Sequence, residues 1–366
     1  MQVNHISHVP IVGVLWLYSS GLYLTKITPL SPVYLGFFII LISFFMLFIY
    51  KESITVSKGV LLPSFLGLYY ISLFISSPPA MVMNIILTFT CPVLLYAFFS
   101  HYKIKYSIIL GCVWFYSFLL LGDGIWRLLH PAEFDLDKLE ELGIGFHIYK
   151  LNTFMYMDSN TVGIQGVSLL SFACFIGCYI KKISIPLLMI ILIAIIITFS
   201  RAAILSSLLL IIFYYLFIKK VPILFLYLIV CLIFIFTTIG MLFYFSEDHS
   251  FLSKFHILEL AATFLGENDW GTILLGVGLG NAIDFLGMGA HNLFVTFLVE
   301  TGVLGTLVFC FTLFCWWCAL RKDWILLVFP TLLASMSLGT VVMPYLFTFV
   351  TLSILIKKKY LVVDNI

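Results

Sequence analysis

The chain has 366 residues, of which 63% are hydrophobic and only 10% are charged, with a formal net charge of +2. A soluble domain is about half apolar and about a quarter charged, because its surface needs polar cover. This composition excludes that class and makes hydrocarbon the main solvent of the chain. Backbone groups in hydrocarbon must be satisfied within their own element, so the apolar runs predict helices. The runs are long and continuous, which excludes a transmembrane barrel of short alternating strands.

In chain order, the apolar runs predict about twelve spans: 9–24, 31–50, 60–75, 79–99, 106–122, 159–180, 183–200, 202–218, 221–245, 293–319, 324–340 and 341–356. The expected fold is all-α, a polytopic helical bundle forming a single membrane domain over 1–366. No Lys or Arg precedes Lys26 and no small-residue cleavage pattern is visible, so the first run reads as a permanent span. The eight cysteines all lie in apolar runs and show neither a disulfide framework nor a zinc spacing. They read as packing residues.

Placing the N-terminus in the cytoplasm puts Lys51, Lys58, Lys103, Lys105, Lys181, Lys182, Lys219, Lys220, Arg321, Lys322 and Lys357–Lys359 on the cytoplasmic side. Lys26, Arg127, Lys138, Lys150, Arg201 and Lys254 fall on the far side. Every loop then obeys the positive-inside bias, with both termini cytoplasmic. Most carboxylates fall on the outer face. Two outer loops exceed simple turns: 123–158, in which Asp135–Glu141 reads as a short surface helix, and 247–292. Long loops on a polytopic scaffold are where function concentrates.

Arg201 opens a span directly after Thr198-Phe-Ser200. An arginine at the membrane boundary either anchors the helix or meets an anion such as phosphate, to which its planar fork is suited. His291-Asn292 marks the re-entry of the second loop, where a histidine serves as a proton acceptor or as an ordinary interfacial residue. Glu300, nine residues on, is a carboxylate within an apolar span and is expected to be paired or to face the bundle interior. In the first loop, Arg127 and Lys150 bind an anionic ligand or pair with that loop's acids. Asp158 and Asn160 contact substrate or cap the next helix. Lys254, His256 and Glu259 in the second loop are open in the same way. Trp126, Phe146, Tyr149, Tyr156 and Trp270 offer aromatic faces to a hydroxyl-rich substrate. Gly276-Val-Gly-Leu-Gly-Asn281 is a tight backbone turn more than a nucleotide loop, since no strand precedes it.

Three patterns carry a family resemblance: Tyr149-Lys150 followed by Asp158-Ser-Asn160; Thr198-Phe-Ser-Arg201-Ala-Ala; and Leu275-Gly-Val-Gly-Leu-Gly-Asn281, then Gly289-Ala-His291-Asn292, then Glu300-Thr-Gly302-Val-Leu-Gly305. In this order and spacing, over about residues 149–310, the chain resembles the O-antigen polymerase and O-antigen ligase family of bacterial inner membranes. The resemblance implies a glycosyltransferase at the periplasmic face whose donor is a glycan on undecaprenyl diphosphate. A polymerase moves the growing glycan onto the next lipid-linked repeat unit; a ligase moves it to lipid A–core. The Tyr-Lys and Asp-Ser-Asn pattern favours the polymerase. Arg201 would hold the departing diphosphate and His291 would act on the acceptor hydroxyl. Arg127, Lys150, Asp158, Asn160, Lys254, His256, Asn292 and Glu300 are the candidate substrate contacts. Lys254 and His256 stand where the family commonly carries a further arginine. The resemblance implies no cofactor, metal or nucleic acid. The expected partners are the lipid-linked oligosaccharide, membrane lipid and a chain-length-regulating co-polymerase. A twelve-helix transporter or flippase is the competing class, but midplanes nearly empty of charge fit it less well.

Overall fold

The computed structural model describes residues 9–24, 30–49, 56–101, 104–133, 148–156, 158–180, 183–222, 249–287, 292–336, 343–358 and 361–362, with Phe225, Leu228 and Leu232. Within these residues the chain is all-α. The helices are α1 (Val9–Ser19), α2 (Pro32–Ile49), α3 (Lys58–Leu66), α4 (Leu68–Ile71), α5 (Pro79–His101), α6 (Tyr106–Leu129), α7 (Ser159–Ile180) and α8 (Ile185–Ile196). They continue as α9 (Arg201–Ile218), α10 (His249–Glu267), α11 (Trp270–Leu275), α12 (Ala282–Leu286), α13 (Leu293–Leu320), α14 (Asp323–Leu327), α15 (Phe329–Ala334) and α16 (Pro344–Lys357). A two-residue parallel pair joins β1 (Ile104–Lys105) to β2 (Leu361–Val362).

Met81–Ser100 within α5, together with α6, α7, α9 and α13, are each long and apolar enough to cross a membrane. Helix α7 is central: 89% of its most apolar window is buried, against α6, α8, α9, α14, α15 and α16. Helices α9 and α13 bury only 33% of theirs and turn Leu208, Ile212, Tyr215, Leu307, Phe311 and Phe314 outward. Apolar faces of this extent are unfavourable in water and are the expected lipid-facing surface in a bilayer. These are the features of a membrane protein.

Several elements depart from the sequence expectation. Helix α6 runs two turns past position 122, to Leu129, which puts Asp123 and Arg127 on the helix and not in the loop. Their i,i+4 spacing lets the charges neutralise each other without ending the helix. The 60–75 run breaks at Gly67 into α3, α4 and a 3-10 turn at Ser72–Ser76. The 324–340 run splits at Val328, ahead of Pro330, into α14 and α15. The second long loop contains α10, α11 and α12. The 221–245 span and the Asp135–Glu141 helix lie outside the described residues, apart from positions 221, 222, 225, 228 and 232.

Contacts fix the helix directions. Helices α7 and α9 run parallel, with Gly163 against Ala203 and Gly177 against the Tyr214 hydroxyl. Helices α14 and α15 run antiparallel to α7: Tyr179 OH donates to Asp323 Oδ2 (2.6 Å), and Ser168 and Thr331 share a 2.9 Å hydroxyl bond. Helix α3 opposes α13, with Gly59 beside Ala319 and Tyr70 OH donating to Gly305 O (2.8 Å). One end of the bundle therefore gathers Lys58, Lys105, Lys219, Lys220, Arg321, Lys322, Lys357 and Lys358. At that end Lys357 Nζ bonds Asp323 (2.8 Å) and Leu320 O (2.6 Å), tying α13, α14 and α16 together. The opposite end carries the segments that hold Asp158, Arg201 and Asn292.

A side chain at Gly163 would meet Ala203 Cβ at 2.9 Å and Thr198 Oγ1 at 3.1 Å, whereas Gly122 has open space around it. Gly163→Val is expected to destabilise the protein by about 1–3 kcal/mol through overpacking, and Gly122→Ala to leave it unchanged or slightly stabilised. Thermal melting in detergent reads both; equal melting of the two variants would contradict the close α7–α9 contact.

Candidate functional site

The reversal between α8 and α9 forms the first part of the site. Phe199 adopts φ 53°, a left-handed conformation costing about 1–2 kcal/mol for a residue with a Cβ. Its surroundings hold it there. The Phe199 and Tyr149 rings lie 5.9 Å apart, Ser159 Oγ donates to Thr198 O (2.8 Å), and Ser200 N donates to Thr198 Oγ1 (3.2 Å). Strain retained in this way collects at functional turns. Ser200 has the extended backbone of an N-cap, yet its side chain makes no cap hydrogen bond. Among the described residues its buried Oγ has no partner. The first-turn amides of α9 thus lack a side-chain cap, and Arg201 stands exposed beside them. Amide donors, the positive end of the helix dipole and a guanidinium together suit an anionic phosphate.

Arg127 is fully buried and forms a 2.9 Å ion pair with Asp123, one turn earlier on α6. Arg127 Nη1 also donates to Tyr149 O (2.9 Å) and Ile197 O (3.1 Å). Asp123 Oδ1 accepts from Phe154 N (2.9 Å). One pair thereby fastens α6, the 149–154 stretch and the α8–α9 reversal. Desolvating two charges is expensive, and the added bonds to carbonyls and an amide make it tolerable. Of the two roles expected for Arg127, pairing is the one its surroundings display. Buried beneath the site, it is not an exposed ligand.

Other candidates hold helix ends. Asp158 caps α7, accepting from Thr161 N (3.0 Å) and Thr161 Oγ1 (3.3 Å), while Asn160 Nδ2 approaches Asp158 Oδ2 at 3.5 Å. Asn292 caps α13, accepting from Phe294 N (3.0 Å) and Val295 N (3.4 Å). Such caps stabilise by about 1 kcal/mol each. Lys150 is half-buried, and its carbonyl accepts from Ser159 N (3.0 Å). His256 is exposed on α10 and pairs with Glu259 at 3.4 Å, a surface contact worth little. Helix α10 docks Ile257, Ala261 and Phe264 beside Val295 and Val299 of α13. Lys254 is on the same helix, its side chain outside the described residues, as is His291 entirely. Asp269 caps α11 through Thr272 N (3.0 Å) and Thr272 Oγ1 (2.7 Å). These bonds hold its carboxyl below the usual range, so the cap persists at neutral pH and is lost as pH falls through that lowered value.

The glycine-rich segment meets a break in α13. Gly302 takes φ 67° inside the helix. Around it, Val299 O accepts from Val277 N (2.9 Å), Glu300 O from Gly278 N (3.0 Å) and Thr301 O from Tyr69 OH (3.0 Å). A Cβ on Gly276 would strike the Glu300 carbonyl, and one on Gly278 the Ser76 carbonyl. Glycine is needed here for backbone-to-backbone approach. The segment is a tight turn that satisfies a broken helix. Asn281 Nδ2 adds bonds to Ser76 O (2.7 Å) and Val277 O (2.9 Å). The Glu300 carboxylate, buried as its span position implied, accepts from the amides of Gly280 and Ala282. Its contacts are internal to the protein.

Sequence reasoning missed Asp123, Tyr69 and Tyr70. Asp123 had a readable signal, a carboxylate four residues before an arginine at the end of an apolar run. The tyrosines had none, because their partners are more than 200 residues away in the chain. No protein-family model matches the chain, and no curated protein matches it. Fold and site together describe an all-α membrane protein that presents an exposed arginine on an uncapped helix N-terminus.

Arg127→Ala leaves the Asp123 carboxylate buried without its cation and is expected to destabilise by about 3–5 kcal/mol; the double change Asp123→Leu with Arg127→Met is expected to recover most of that loss. Melting of the purified proteins checks both. Gly302→Ala is expected to lose more stability than Gly122→Ala, because it adds a left-handed penalty and a clash with the Leu274 carbonyl. Equal stability of those two would remove the broken-helix description.

Proposed function

We propose that the chain is a glycosyltransferase of the O-antigen polymerase kind. In this reading it crosses the bacterial inner membrane about twelve times, with both termini cytoplasmic and the Arg201 end facing the periplasm. The observation that carries the reading is Arg201, exposed on the first turn of an 18-residue helix whose N-cap side chain leaves the amides uncapped. Two further features support it. The basic residues of the opposite end match cytoplasmic placement. The first two sequence patterns of the resemblance also meet at shared structural joints, Tyr149 on Phe199 and Ser159 on Thr198, and the third folds on itself, its glycine turn on Glu300.

The reaction breaks the bond between the anomeric carbon and the diphosphate of an undecaprenyl-diphosphate-linked glycan. A hydroxyl of the next lipid-linked repeat unit attacks that carbon, and its proton passes to His291. The electron pair leaves with undecaprenyl diphosphate, whose charge is held by Arg201 and the α9 amides. The donor is already activated, so neither a nucleotide sugar nor a cofactor enters. Lys150, on the same stretch as Tyr149, and Lys254 supply further positive charge on the same outer face. A chain-length-regulating partner belongs to this reading through the resemblance alone.

Among the described residues the Gly302 break is a feature that suits a transporter, since carriers bind solutes at interrupted helices. Here the interruption is filled by the protein's own glycine turn and by Tyr69, which favours a structural role for it.

Deleting the gene is expected to collapse a lipopolysaccharide ladder to core plus a single repeat, and complementation to restore it. Arg201→Ala should fail to restore the ladder while remaining at wild-type level in the membrane, in line with the roughly 100-fold or greater loss when one charge-stabilising group is removed. A full ladder from Arg201→Ala would remove Arg201 from the mechanism. Core alone, with long glycan accumulating on the lipid diphosphate, would indicate a ligase.

A further inference from the structure

A second polar cluster sits at the Arg201 end, between the α1–α2 turn, α5, the 153–156 stretch, α7 and α16. The Tyr23 ring lies 5.5 Å from Tyr156 and 6.3 Å from Tyr34. The Tyr23 and Tyr34 hydroxyls both donate to Asn84 Oδ1, at 3.3 and 2.9 Å. This fixes the amide so that its Nδ2 donors point away from the two phenols. Tyr156 OH and Gln165 Nε2 both donate to Gly21 O, at 3.4 and 3.2 Å. Tyr345 lies within electrostatic reach of both Tyr23 and Tyr156.

Two features characterise the cluster. Gln165 and Tyr345 are 1% and 2% exposed, yet among the described residues Gln165 Oε1 and Tyr345 OH have no hydrogen-bond partner. An apolar bundle gains nothing from such atoms, and buried polar groups are nearly always paired. Above them, Tyr34, Asn84 and Tyr156 are only half-buried, although Tyr23, Gln165 and Tyr345 beneath are closed off. We term the half-exposed Tyr34, Asn84 and Tyr156 over the buried Gln165 and Tyr345 the crevice, with an aromatic wall, an oriented amide and unmatched polar atoms beneath.

None of these side chains carries a formal charge, which disfavours a phosphate. Aromatic faces pack against the C–H faces of a sugar ring, while phenols and planar amides match its hydroxyls. Sites that combine apolar walls with a few convergent polar groups are the usual form of a small-ligand pocket. The crevice is joined to the Arg201 turn through one short segment: the Tyr149 ring lies tilted against Phe199, Phe154 N donates to Asp123, and Tyr156 lines the crevice.

We propose that the crevice formed by Tyr23, Tyr34, Asn84, Tyr156, Gln165 and Tyr345 binds a neutral sugar residue of the acceptor glycan. The assignment to the acceptor rests on the transferase reading above; the sugar-binding assignment rests on the crevice itself. The donor diphosphate sits at Arg201, and the acceptor sugar is presented from the crevice along the 149–156 segment.

The test uses the purified full-length protein in detergent and two probes, with binding measured by calorimetry. One probe is the oligosaccharide released by mild acid from the lipid-linked pool of a strain lacking this gene. The other is undecaprenyl diphosphate. Asn84→Ala and Tyr34→Phe are expected to weaken oligosaccharide binding at least fivefold and to leave undecaprenyl diphosphate binding unchanged, with Arg201→Ala showing the reverse pattern. Should Asn84→Ala fail to fold, Tyr34→Phe, which removes one oxygen, decides the matter. Unchanged oligosaccharide affinity in the folded variants, or no oligosaccharide binding by the wild type, overturns the proposal. Oligosaccharide binding that is lost in the variants, from a protein that makes no polymer, supports the crevice and removes the transferase reading. Binding of neither probe removes both.

Discussion

The Asp123–Arg127 pair is the joint on which the Arg201 end of the bundle depends. Both side chains are fully buried, where an unpaired charge would cost several kcal/mol. Arg127 reaches the carbonyls of Tyr149 and Ile197 and Asp123 takes the amide of Phe154, which offsets much of that cost, while Arg127 Nη2 has no partner among the described residues. Those three partners come from the re-entrant stretch of the first loop and from the α8–α9 reversal. Satisfying one buried pair therefore positions the turn that carries Phe199 and Arg201. The charge that faces outward at Arg201 is held in place by a charge that faces inward at Arg127.

The same constraint operates at the Gly302 break. An interrupted helix in an apolar setting exposes carbonyls that no water can reach, and the protein must supply donors. Val277, Gly278 and Tyr69 do so. This explains why glycine at 276 faces glycine at 302, and why glycine at 278 lies on the Ser76 carbonyl: a Cβ at any of these positions would separate the backbones that close the break. The described parts of the two long loops are thus both docked by backbone satisfaction, one around a salt bridge and one around a helix break. Between them lies the face on which Arg201 stands.

Much of the fold was legible in the sequence. Hydropathy located the long helices, and the boundaries of Ser159–Ile180 and Leu293–Leu320 fell within a residue of expectation. It failed where a helix continued through a self-neutralising pair, at Asp123 and Arg127, and where Gly67 or Pro330 interrupted an otherwise apolar run, because hydropathy is blind to both. Site residues were less legible. Asp158 caps a helix, one of its two expected roles, and Asn292 caps another, a role its sequence reading did not include. Glu300 was expected to be paired or interior and is buried, yet its partners are two backbone amides that no sequence spacing announces. The Tyr23–Asn84–Gln165 crevice was invisible for the same reason, since it joins side chains from five separate segments.

The proposed transfer chemistry puts the anion at Arg201, at one end of a membrane bundle, with the basic residues gathered at the opposite end. The sidedness of that arrangement is its most direct test. In a cysteine-free background, Glu267→Cys reports the Arg201 end and Lys219→Cys the basic end; both positions are exposed. A membrane-impermeant thiol reagent applied to intact spheroplasts is expected to label position 267 and to reach position 219 only after permeabilisation. Labelling of 219 from outside, with 267 protected, would place Arg201 in the cytoplasm and contradict glycan transfer at the periplasmic face.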